Sequence, residues 1–136
     1  MAPLVAVVDD DISVRESLES LIRSVGMAVK VFASAEEFLN SNGQYKPDCL
    51  ILDVRMPGMS GIELHRHLMA GNFKLPAIFI TAHAFDDQAR SEASSDYTVA
   101  YLTKPFSEDE LLDSVKAGLR LKSSTQASHP IKGGSP

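Results

Sequence analysis

The chain has 136 residues, of which 44% are hydrophobic, a formal net charge of −5 and a single cysteine. That length and apolar content suit one globular domain with its own core, and one cysteine excludes an internal disulfide framework. No charged-then-apolar leader or long apolar run suggests secretion or membrane spanning, so a cytoplasmic protein without a membrane partner is expected, and the acidic balance argues against direct nucleic-acid binding, which needs clustered Lys and Arg.

Leu4 to Val8 is an unbroken apolar run rich in valine, as expected for a strand buried on both faces, and it stops at Asp9, Asp10 and Asp11. Ser13 and Glu16 have the spacing of a capping box, and Val14, Leu18, Leu21, Ile22 and Val25 then recur at helical spacing up to Gly26. Met27 to Phe32 reads as a second strand. Ser34 with Glu37 opens a short helix carrying Phe38 and Leu39, closed by the turn-rich Asn40 to Gly43.

Cys49 to Leu52 supplies a third strand ending on Asp53, after which Met56, Pro57 and Gly58 force a loop and Ser60 with Glu63 caps a third helix. Ala77 to Ile80 is a fourth strand ending on Thr81. A weaker helix follows between Ala84 and Asp96, carried by Ala89 and Ala93 and eroded by Ser94 and Ser95. Val99 to Thr103 is a fifth strand ending at Lys104-Pro105, and Ser107 with Glu110 caps a last helix with Leu111, Leu112, Val115 and Leu119 on its apolar face. After Lys122 the composition turns to Ser, Gln, Pro and Gly, which predicts a domain over 1–122 and a flexible tail or linker stub over 123–136.

Strands alternating with helices predict a doubly wound α/β fold, a parallel sheet covered on both faces by right-handed crossovers. In such sheets ligands bind beyond the carboxyl ends of the strands. Asp9 and Asp10, Asp53, Thr81 and Lys104 all fall there, so three carboxylates, a hydroxyl and an ammonium are expected to converge. Clustered carboxylates repel unless a cation neutralises them, and an all-oxygen set suits magnesium. Asp9 can serve the metal through water or orient Lys104. A carboxylate is also a competent nucleophile towards phosphorus when metal, ammonium and hydroxyl groups share the charge on the phosphoryl oxygens.

The segments VVDDD (7–11), LILDVRMPGMSG (50–61), FITAH (79–83) and YLTKPF (101–106) together resemble the receiver domains of two-component response regulators, most closely the FixJ-like subgroup, and the resemblance covers roughly Leu4 to Leu121. It implies a flavodoxin-like five-stranded sheet in the order 2-1-3-4-5, Mg²⁺ as cofactor, and a signalling domain, not an enzyme acting on small molecules. Residue by residue, it implies that Asp53 accepts the phosphoryl group of a sensor histidine kinase and that Asp9 and Asp10 form the acidic metal pocket. Arg55 then offers a backbone carbonyl to the metal, and Thr81 and Lys104 contact the phosphoryl group. Lys104-Pro105 is a cis peptide, and Tyr101 is the aromatic switch. The face built by the fourth helix, fifth strand and fifth helix carries output, with a homodimer as one form of it.

Other readings weigh against these. Asp11 suits a helix cap, Cys49 an inert strand position, and Tyr101 core packing as well as switching. His65 and His67, two apart on a helix, do not face each other and read as surface groups, and His83 as a loop residue near the mouth of the site. One stretch departs from the family: Ser94 to Ala100 replaces the usual small apolar approach to the fifth strand and adds a residue between Thr81 and Lys104, which should reshape the fourth helix and its loop. A receiver-shaped interaction module without phosphate control is the alternative function. A small-molecule phosphohydrolase would need a cap or specificity pocket for which this length leaves little room.

Overall fold

The computed structural model describes residues 2–41, 44–83 and 86–134, with side chains as far as Ser123. In chain order the elements are β1 (Leu4–Val8), α1 (Ile12–Ser24), β2 (Ala28–Phe32), α2 (Ala35–Leu39), β3 (Cys49–Asp53), α3 (Gly61–Ala70), β4 (Ala77–Thr81), α4 (Asp87–Ala93), β5 (Thr98–Thr103) and α5 (Glu108–Gly134). The strands form one parallel sheet in the order β2-β1-β3-β4-β5, the doubly wound topology expected from the alternation.

The continuous apolar runs arise because each central strand is covered on both faces. Alternate residues feed two separate cores. Ala6, Val8, Leu50, Leu52 and Phe79 face α2, α3 and α4, whereas Val5, Val7, Ile51, Ile78 and Ile80 face Leu18 and Ile22 of α1 and Leu111 and Val115 of α5. Polar residues therefore enter the middle of the sheet only where strands end, and this concentrates chemistry at one edge.

The helix starts follow the Ser-x-x-Glu spacing in three cases. Ser34 Oγ accepts the Glu37 N–H at 3.0 Å, and full reciprocal boxes join Ser60 to Glu63 and Ser107 to Glu110. The Ser13–Glu16 pair does not cap α1. Asp11 does, its Oδ1 accepting the Ser13 N–H at 2.8 Å, because α1 already begins at Ile12 and places Ser13 inside the first turn. The turn expected over Asn40 to Gly43 falls partly on Asn42 and Gly43, and the weak helix begins at Ala84; these three positions lie outside the described residues. The helix itself is the short α4, which buries only Ala89 and Ala93.

A register shift falls within β5, in the stretch expected to carry an extra residue. Ala77 pairs with Thr98 but Ile78 pairs with Ala100, so Val99 is bulged out of the register, and the pairing then runs unbroken from Phe79↔Tyr101 to Thr81↔Thr103. Beyond Lys122, where composition predicts a tail, helix α5 continues to Gly134. The residues that anchor α5 on the sheet, Leu111, Val115 and Leu119, all precede Lys122. Among the described residues no helix is long and apolar enough to cross a membrane.

Gly61, the first residue of α3, is where helix and sheet meet most tightly. A Cβ there would stand 2.2 Å from the Asp53 carbonyl oxygen and 3.1 Å from the Leu52 Cβ, and the backbone cannot yield without moving the end of β3. Gly61→Ala should therefore lower unfolding free energy by about 1–3 kcal/mol, the usual cost of overpacking. Gly71→Ala, whose Cβ meets nothing closer than 3.6 Å, serves as the near-neutral control in urea denaturation. Equal midpoints for the two variants would refute this account of the β3–α3 junction.

Candidate functional site

Asp9 follows β1 directly and is fully buried. Its Oδ1 accepts the Asp11 N–H at 2.8 Å, its Oδ2 accepts from Lys104 Nζ at 3.1 Å, and its carbonyl accepts from the Arg15 guanidinium at 2.7 Å. Asp10, the next residue, turns outward and is exposed. Asp53, the last residue of β3, is 6% exposed; its Oδ1 accepts the Arg55 N–H at 3.3 Å, and its Oδ2 lies 3.8 Å from Lys104 Nζ. Oxygens from Asp9, Asp10 and Asp53 all lie within 4.8 Å of one another. The site sits between β1 and β3, where the strand order reverses and the crossovers leave to opposite sides.

Two neighbouring strand ends complete the rim. Thr81 closes β4, one residue beyond the Asp53↔Ile80 pair, with its buried Oγ1 accepting the His83 N–H at 3.0 Å. Lys104 follows β5, and its peptide bond to Pro105 is cis.

The charge does not balance. Burial, reinforced by the negative charge of Asp9 and only partly opposed by Lys104, pushes the Asp53 carboxyl up to about 7. Lys104 sits closer to Asp9 than to Asp53, so one ammonium serves three carboxylates. Compact, all-oxygen and short of positive charge, this donor set fits a hard divalent cation.

Tyr101 lies beneath α4 on the same face as Phe79, their ring centroids 6.4 Å apart, with the Arg90 guanidinium 4.6 Å above its ring. Its hydroxyl is buried, and among the described residues no group bonds it with ordinary hydrogen-bond geometry, although the Thr81 side chain lies close enough to interact with it. Arg55 is exposed and forms an ion pair with Asp86, which also caps α4 by accepting the Ala89 N–H at 2.9 Å. His83 is exposed in the loop beside Thr81. Cys49 is buried in β3, and desolvation pushes its thiol up to about 12, which leaves it inert.

The family model described as the response regulator receiver domain matches residues 5–116. The chain belongs to this receiver family. Response regulator protein TmoT of Ectopseudomonas mendocina is 44% identical over 118 residues, 87% of this chain and 53% of the relative. Among solved structures, response regulator StyR superposes with a TM-score of 0.82 at 40% identity, covering 98% of this chain and 67% of that one. The FixJ-N crystal structure gives a TM-score of 0.79 at 34% identity, over 88% and 95% of the two chains. The receiver spans about half the length of the curated relatives it matches. Receivers of two-component response regulators are signalling domains.

This receiver thus brings Asp9, Asp10, Asp53 and Lys104 together at one strand edge, sets Thr81 beside them and holds Tyr101 behind, under α4. One expectation is corrected: His65 is not a surface group. It is 3% exposed, its Nε2 bonds the Leu75 carbonyl at 2.8 Å and its ring meets Phe79 edge-on, because it shares with Ile62 and Leu68 the helix face turned to the sheet. His67 is exposed, as expected. Sequence reasoning missed Asp86 and Arg90. Asp86 carried a readable signal, an Asp at the start of a helix, whereas the seat of Arg90 over Tyr101 depends on tertiary placement.

The raised Asp53 pKa has a thermodynamic consequence. A carboxyl whose folded value exceeds its ordinary 3.8 contributes stability that is complete below that value and is lost as pH rises through about 7. Without divalent cations, Asp53→Asn should therefore raise the melting temperature at about pH 8 by on the order of 5 °C, with the gain shrinking towards about pH 4. Thermal melts across that range check it, and a pH-independent difference would contradict it.

Proposed function

We propose that this receiver takes a phosphoryl group from a sensor histidine kinase onto Asp53, with Mg²⁺ as cofactor, and responds by reshaping its α4, β5 and α5 face. The observation that carries this reading is the placement of a buried, electron-rich carboxylate at the β1/β3 switch point, with two further carboxylates within 4.8 Å and a single ammonium 3.8 Å away.

Asp9, Asp10, Asp53 and the Arg55 backbone carbonyl would hold the cation. Bound there, it supplies the positive charge that keeps Asp53 ionised and spreads the charge of the phosphoryl oxygens. An Asp53 carboxylate oxygen forms the new bond to phosphorus while the P–N bond to the donor imidazole breaks, its electron pair leaving with the nitrogen. Lys104 has room to shift from Asp9 towards the incoming group. Thr81 uses an Oγ1 lone pair on His83 N–H, which leaves its own proton for a phosphoryl oxygen.

The response follows from the Tyr101 hydroxyl, which is buried beside Thr81 without a well-formed hydrogen bond among the described residues. A buried hydroxyl without a partner costs about 1–3 kcal/mol, so its resting position is easily exchanged for one in which the oxygen finds water or an acceptor. As Thr81 turns towards the phosphoryl group it vacates space beside Tyr101, and rotation of that ring dislodges the Arg90 guanidinium and with it α4. The altered face suits a second copy of the chain. Some relatives, such as FixJ of Bradyrhizobium diazoefficiens, are named transcriptional regulatory proteins, and a transcriptional output of a longer protein is consistent with that.

With a small phosphodonor and Mg²⁺, intact-mass measurement should show the gain of one phosphoryl group by the wild-type chain and none by Asp53→Asn. Equal incorporation by the variant would overturn the assignment of Asp53, and no incorporation by the wild type would favour an interaction module that works without phosphate.

A further inference from the structure

An ion pair that the phosphoacceptor chemistry does not use spans the gap between the β3–α3 loop and α4. Arg55 stands two residues beyond Asp53, and its backbone N–H is already committed to Asp53 Oδ1. Its guanidinium pairs with Asp86 Oδ2. The second Asp86 oxygen accepts the Ala89 N–H, so one carboxylate both caps α4 and holds Arg55. The Ala89 N–H first, then Arg55, keep the Asp86 carboxyl below its ordinary range and thus charged. Both residues line a groove of about 640 Å³ that also touches Met56, Pro57, Ser60 and Glu92.

The importance of this contact follows from how little else fixes α4. The helix has seven residues and buries two alanines, and its other described attachments are polar: Arg66 to the Glu92 carbonyl at 3.2 Å, Arg90 over Tyr101, and the Thr98 hydroxyl to the Ala93 carbonyl at its far end. Polar contacts of this kind, partly exposed, are individually weak, so a new charge nearby can rebalance them. A phosphoryl group on Asp53 is such a charge, about −1.5 to −2, two residues from Arg55.

Resting on the reading that Asp53 accepts phosphate, we propose that Asp86 is a positioning residue that restrains Arg55. In the resting protein Asp86 draws the guanidinium away from Asp53; in the phosphorylated protein the phosphoryl oxygens and Asp86 compete for that one cation, and α4 loses its tie to the β3–α3 loop as phosphate wins. By linkage, anything that weakens the Arg55–Asp86 pair strengthens retention of the phosphoryl group, and the reverse.

Asp86→Asn isolates the effect, since Asn caps a helix as well as Asp but carries no charge. The readout is affinity for beryllofluoride at saturating Mg²⁺ in four chains: wild type, Asp86→Asn, Arg55→Gln and the double variant. Asp86→Asn should bind about three- to fivefold more tightly than wild type, as expected for release of one partly exposed ion pair, and the same substitution should change nothing in the Arg55→Gln background. Amide exchange should show residues 87–93 losing protection on beryllofluoride binding in the wild type and already less protected in Asp86→Asn before it. Equal affinity of wild type and Asp86→Asn, or an equal gain in both backgrounds, overturns the restraint while leaving the phosphoacceptor reading intact. A wild-type chain that does not bind beryllofluoride at all overturns that reading, and the restraint with it.

Discussion

Negative charge held out of water at the carboxyl ends of β1 and β3 is the constraint on which the rest of this structure depends. Asp9 and Asp53 are both buried, Asp10 stands beside them, and among the described residues Lys104 is the cation paired with them. Such an arrangement is unfavourable for folding, because each carboxylate loses hydration and gains a like-charged neighbour. The fold sustains it through two apolar cores that make β1, β3 and β4 immovable, so the strand ends cannot splay to relieve the repulsion.

Several local features serve that placement. The absence of a side chain at Gly61 lets α3 start against the Asp53 carbonyl, which fixes the direction in which β3 ends. Gly58, with φ of +77°, turns the preceding loop where a side chain would be strained. The bulge at Val99 resets the register of β5 by one residue, so that Tyr101 pairs with Phe79, Thr81 and Thr103 end level and Lys104 reaches Asp9. Helix α4 buries two alanines and is otherwise held by polar contacts, three of them from arginines, so it is responsive to a change in nearby charge.

The sheet was readable from the chain because burial on both faces leaves an unbroken apolar run, and each run ended where a polar residue emerges at the strand edge. Asp9, Asp10, Asp53, Thr81 and Lys104 were found for that reason, and the Ser-x-x-Glu pairs marked three helix starts by the local geometry that a cap needs. The Ser13–Glu16 pair misled because a stronger acceptor, Asp11, stood two residues earlier. His65 was misjudged because the spacing to His67 says only that the two diverge, not which one faces the sheet; its alignment with Ile62 and Leu68 held that information. The Arg55–Asp86 and Arg90–Tyr101 contacts join segments about 31 and 11 residues apart in sequence, and no local pattern announces them.

If charge crowded into a dry strand edge is what prepares this site, the Asp53 carboxyl itself must show it. Carbon-13 NMR of the side-chain carboxyls in the cation-free protein, with Asp53→Asn used for assignment, measures this directly. The account predicts that Asp53 titrates near 7 and that saturating Mg²⁺ drives it well below that value. An Asp53 that titrates in the ordinary carboxylate range without any cation would contradict it.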